Sequence, residues 1–142
     1  MFAAGIPMAN ANESEDQAPP KPDPALERLN RLVGSWSMKG RPVGSGEESI
    51  TGTTSFSWLH GTAGTSFFLQ QDMEMDYAGT PIKSREIIGY DPGTRAFSSF
   101  VYSNMAPDPW PYQWDVQGDD LTISITSGPM DATFRMTSPS RA

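Results

Sequence analysis

Three carboxylates and one imidazole are the side chains of this chain best suited to moving a proton. Asp72 and Glu74 stand in "QQDMEMD", and Glu86 follows in "KSREIIGY". A carboxyl turned into an apolar interior is pushed toward neutral pH, where it can serve as a general acid or base. The sole histidine, His60, stands in the turn-like "LHGTAG", and no serine occupies a Gly-x-Ser-x-Gly elbow, so nucleophilic catalysis of the triad kind has no base and no nucleophile. With no cysteine, thiolate chemistry is excluded. One histidine and no cysteine also make a poor ligand set for zinc or iron, so neither a metal nor a cofactor is expected. "RPVGSGEES" carries paired glycines near an arginine, but it precedes strand-like sequence and lacks the Lys-Ser/Thr of a phosphate loop. It reads as a hairpin loop.

What the acids can do depends on the elements that aim them. Asp23 offers an N-cap oxygen, Pro24 suits the first helical position, and Leu26, Leu29, Leu32 and Val33 recur at helical spacing before Gly34. This predicts one short amphipathic helix over 24–33. Beyond it the period shifts toward two. Strands are expected at 35–42, 48–59, 64–76, 83–90, 95–104, 111–117, 120–126 and 131–137, separated by short Gly-, Asp- and Pro-rich turns. One face is apolar in five of them: Thr54, Phe56 and Trp58; Phe67, Leu69, Gln71, Met73 and Met75; Tyr112, Trp114 and Val116; Leu121, Ile123 and Ile125; Ala132, Phe134 and Met136. An antiparallel sheet with one apolar face must pack on something or curl on itself, and a single short helix covers only an end. The fold class expected is therefore all-β, an antiparallel up-and-down β-barrel with one short N-terminal helix capping an end.

In this pattern Asp72 and Glu74 fall opposite Gln71, Met73 and Met75 and are expected to face solvent. Glu86 shares a face with Ile88 and Tyr90, which makes it the one acid the alternation can turn inward. It is the weak catalytic candidate.

Composition narrows the partners. Lys plus Arg number 10 against 17 Asp plus Glu, a formal net charge of -7, which repels phosphate backbones and anionic headgroups. No nucleic acid and no membrane are expected, and no apolar run approaches the roughly 18 residues of a membrane span. Residues 1–22 combine "NESEDQ" with "APPKPDP" and read as a disordered Pro-rich tail. The first residues lack the basic segment of a secretory signal, and Pro7 breaks a short apolar run, so a cytoplasmic location is expected. Residues 23–142 form the single barrel domain.

Leu29, Leu32, Gly34 and Trp36 spell LxxLxGxW just ahead of the first strand. This resembles the entry motif of calycin-type barrels, the lipocalin and fatty-acid-binding superfamily, in which a Trp on the first strand plugs one end. "FSWLHGTAGTSFFLQQ", "IIGYDPGTRAF" and "YQWDVQGDDLTI" are similar to an uncharacterised bacterial lipocalin-like family, over about residues 26–136. The resemblance implies a calycin-like barrel with a lumen. Such chains usually continue through one or two more strands, whereas this one ends in "TSPSRA", so the expectation is either an incompletely closed barrel or a chain cut short at its C-terminus. Heme-binding relatives use a late histidine, and His60 is early, so heme is not implied.

Aromatic walls with a few polar handles make a small-molecule cavity, and they equally make a packed core. On the binding reading, Trp58, Phe67, Met73, Tyr90, Tyr112 and Trp114 line the lumen, with Gln71 and Glu86 as handles for a small hydrophobic or aromatic molecule. The alternatives are a cofactor-free cyclase or isomerase that uses Glu86 as its inward carboxylate, and a non-catalytic module that forms a homodimer through an open sheet edge. "NMAPDPWPYQW" reads as a longer loop that holds Trp110 near the barrel mouth.

Overall fold

Asp23 sets the first element. In the structure, a computed structural model that describes residues 18–125 and the backbone of 133–137, Asp23 Oδ1 accepts the Ala25 amide at 2.8 Å. Pro24 then starts a helix over Pro24–Leu32. The helix is 3-10 in kind, with three residues per turn. Leu26, Leu29 and Leu32 are spaced by threes, so this winding stacks them in one line, and all three are buried. An α-helix would rotate each about 60° from the last. Val33 is already extended, so Gly34 does not close the helix as a left-handed cap. It opens the first strand, at φ 131°.

The strands are β1 Gly34–Gly40, β2 Ile50–Trp58, β3 Leu69–Tyr77, β4 Thr80–Asp91, β5 Ala96–Ser103, β6 Trp110–Gln117, β7 Asp120–Ile125 and β8 Thr133–Thr137. Each pairs antiparallel with the next, in the order β1 to β8. Among the described residues β1 pairs with β2 alone and β8 with β7 alone. The sheet is therefore a curled, up-and-down half-barrel rather than a closed barrel. No helix among the described residues is long and apolar enough to cross a membrane. Residues 1–17 of the predicted tail, residues 126–132 and 138–142, and the side chains of Phe134 and Met136 lie outside the described residues.

Two predicted boundaries shift for local reasons. The third strand begins at Leu69, not at 64, because Thr62 and Thr65 build a turn and the buried Ser66 hydroxyl bonds to the Leu59 and Phe68 carbonyls. Trp110 is not a loop residue; it begins β6, one position before the expected start at Pro111, and lies opposite Val101. Between β3 and β4 the turn is only Ala78 and Gly79, both at positive φ, the geometry of the tightest hairpins.

The register arranges inward residues in rungs across the sheet. One rung runs Trp58, Leu69, Ile88, Ser99, Tyr112, and the next runs Phe56, Gln71, Glu86, Val101, Trp110. A third is Trp36, Thr54, Met73, Ser84, Ser103. A fourth is Met38, Gly52, Met75, Ile82. Gly52 is obligatory there, because a Cβ would lie 2.4 Å from the Glu74 carbonyl oxygen. The helix covers one end. Its three leucines pack with Phe56, Leu69, Ile88, Phe97, Trp114, Val116, Leu121 and Ile123 into a single core. Trp36 Nε1 donates to the Leu32 carbonyl at 2.8 Å, and Trp58 Nε1 to Asn30 Oδ1 at 3.0 Å. Arg28 and Arg31 donate to the Val116 and Gly118 carbonyls, and this ties the helix to the far side of the sheet.

Candidate functional site

Glu86 sits where the helix-covered core gives way to the open rungs. Alternation along β4 turns it inward with Ser84, Ile88 and Tyr90, and it is 4% exposed. The side chains around it come from two other strands. Ser99 on β5, 3% exposed, donates its hydroxyl to Glu86 Oε1, and Trp114 on β6 donates Nε1–H to the same oxygen at 3.1 Å. Trp114 Nε1 also lies 3.0 Å from Ser99 Oγ, so one N–H is shared between two acceptors. The three side chains form a closed triangle of polar groups inside an apolar wall.

Burial disfavours the charged carboxylate and pushes Glu86 up to about 7, while the bonds from Ser99 and Trp114 pull the other way. Tyr112, half-buried nearby, is pushed up to about 12, first by burial and then by the Glu86 charge. A carboxyl poised near neutrality beside an open concave face can accept a hydrogen bond or exchange a proton with a guest.

The other residues singled out from the sequence are distributed as follows. Gln71 is half-buried and directly across the β3–β4 ladder from Glu86. Met73 is half-buried on the next rung toward the open end. Trp58 and Tyr112 flank Leu69, Ile88 and Ser99 on the helix side, both half-buried against the core. Tyr90 packs its ring on Phe97 at 4.8 Å between centroids. Phe67 is not a strand residue; it lies in the loop before β3 and is 41% exposed. With Phe68, Tyr90, Pro92 and Leu26 it borders a crevice of about 210 Å³ beside the helix start. The structure thus brings Gln71, Glu86 and Trp114 together and sets Phe67 apart. His60 is an exposed turn residue at φ 52°.

Asp72 and Glu74 lie on the outer face, paired with Arg85 at 2.7 Å and Lys83 at 2.9 Å. The Arg85 bond holds Asp72 below the usual carboxylate range. These residues, with Thr53, Ser55, Tyr102 and Asn104, border an open trough of about 900 Å³. It is larger than any recess the sequence suggests, but its charges neutralise one another. Asn104 is likewise engaged, by the Lys83 amide and the Pro81 carbonyl. The concave side, where a carboxyl is held in an apolar wall, is the chemically distinctive face.

Ser99 is the functional residue the sequence reading passed over. Its signal was present: in "AFSSFVYS" it shares a face with Phe97 and Val101, and a serine on an apolar face needs a partner there. Among the described residues no three His, Asp or Glu side chains converge as a metal site would need.

Fold and site together define an open antiparallel half-barrel with, among the described residues, a single buried acid on its concave face. The chain belongs to the family described as protein of unknown function DUF1579, whose model matches residues 21–137. No curated protein matches the chain.

Proposed function

We propose that this protein is a calycin-like binder, whose concave face takes a small apolar or aromatic molecule. The observation that carries the reading is the Glu86–Ser99–Trp114 triangle, a polar handle 4% exposed or nearly so, set between an apolar core and half-buried Met73 and Gln71. Burying an acid costs stability, and a fold tolerates that cost where the acid meets something. Titration with neutral polycyclic dyes, followed by the fluorescence of Trp114 and its neighbours, tests it. Saturable quenching that Trp114→Phe weakens is the expected outcome; no response to any dye, with no thermal shift, would overturn the reading.

One observation favours a second reading. Glu86 is buried, and burial pushes its carboxyl up to about 7, where a general acid or base works best at neutral pH. On that reading the face aligns a reactive substrate for a cofactor-free isomerisation or cyclisation, and Glu86→Gln abolishes turnover while binding persists.

A further inference from the structure

The two oxygens of Glu86 are not equivalent. Oε1 receives both donors, from Ser99 and Trp114. Oε2 accepts no hydrogen bond from the described residues, yet it is not one of the sealed polar atoms without a partner, which are Arg31 Nε and Nη2. Oε2 therefore touches accessible space. Beside it Gln71, its partner across the ladder, makes no side-chain hydrogen bond among the described residues and is only half-buried. A fixed acceptor and an adaptable amide stand side by side on the concave face.

Charge decides what can meet them. The inward rungs of β1 to β7 carry no Lys, Arg or His. Arg28 and Arg31 stand on the helix, where they donate to the Val116 and Gly118 carbonyls and Arg31 pairs with Asp119 at 3.0 Å. An anionic head group would thus face a carboxylate with no counter-cation, in surroundings where an unpaired charge is costly. A neutral hydrogen-bond donor would gain a charge-assisted bond instead.

Building on the binding reading above, we propose that the ligand is an aromatic or apolar molecule bearing a neutral hydrogen-bond donor, such as a phenol hydroxyl or an amide N–H, directed at Glu86 Oε2 with Gln71 beside it. Fatty acids and aryl carboxylates are selected against. Gln71 can supply a second bond, so a ligand with donor and acceptor side by side gains most.

The test uses the full chain and three probes that share one ring system: a naphthol, a methylnaphthalene and a naphthoate, titrated at about pH 8, above the range in which Glu86 is mostly protonated. The naphthol is expected to bind about tenfold more tightly than the methylnaphthalene, and the naphthoate more weakly than both. In Glu86→Gln the naphthol advantage shrinks and the naphthoate gains. Equal affinities, or a naphthoate that binds most tightly, would overturn the donor assignment and leave the binding reading standing. If none of the three binds, both fall. Should Glu86→Gln fail to fold, the ranking of the probes on the unaltered protein decides alone.

Discussion

The two ends of the concave face are built from the same strands by the same alternation, yet only one is sealed. At the helix end Leu29, Leu69 and Ile88 are wholly buried, and every neighbouring inward position is apolar or bonded. At the other end Met73, Met75, Ile82, Ser84 and Ser103 stay half-buried, with no helix over them. The difference shows that strand pattern makes an inward face, while what covers that face makes a core. Glu86 stands on the border between the two, buried but next to rungs that no helix covers.

That contrast can be broken most forcefully at its sealed end. Leu29→Ala leaves a cavity beneath the helix and should cost about 3 to 4 kcal/mol in urea denaturation, whereas Met73→Ala at the open end should cost about 1. Equal losses would mean the two ends are packed alike. Next in size is the border itself. The folded-state pKa of Glu86 near 7 lies above its ordinary 4.5, so the folded chain keeps a proton that the unfolded chain releases. Stability is then fully present below about 4.5, falls as pH rises toward 7, and levels off above it. Glu86→Gln should flatten that fall and raise stability at pH 8 by about 2 to 3 kcal/mol, with little change at pH 4. A variant with the same pH profile as the parent would remove Glu86 from the border. Trp36→Phe deletes the bond to Leu32 that anchors the helix and should cost about 1 kcal/mol. Smallest of all, Lys83→Gln on the outer face breaks an ion pair whose partners are each 69% exposed, and thermal melting should not detect it.

Much of the scaffold was legible because it obeys local rules. Alternation in "TTSFSW" and "YQWDV" marked the inward residues, and "YAGTP" and "GDD" marked the hairpins. The helix was legible as an element but its type was not: leucines three apart fit an amphipathic α-helix as well as the three-residue turn that the structure shows. Phe67 was misplaced because the local bonds of Ser66, which delay the third strand to Leu69, leave no mark on a period-two pattern. Three prolines around Trp110 read as a loop, although the pairing with Val101 draws it into β6. The outer trough has no signature in the sequence, since it arises from the shape of the rolled sheet rather than from any run of residues.

By itself the sequence determined which side of each strand faces inward, where the chain turns, and that Glu86 belongs to the inward set. Those are properties of neighbours along the chain, governed by steric preference and by the period of apolar side chains. Only the tertiary structure decided that the roll stays open and that Ser99 and Trp114, 13 and 28 residues further on, close around one oxygen of Glu86 while the other accepts no bond among the described residues. Register between strands and coverage by the helix are settled by packing across the whole sheet, and no local window of sequence contains that balance.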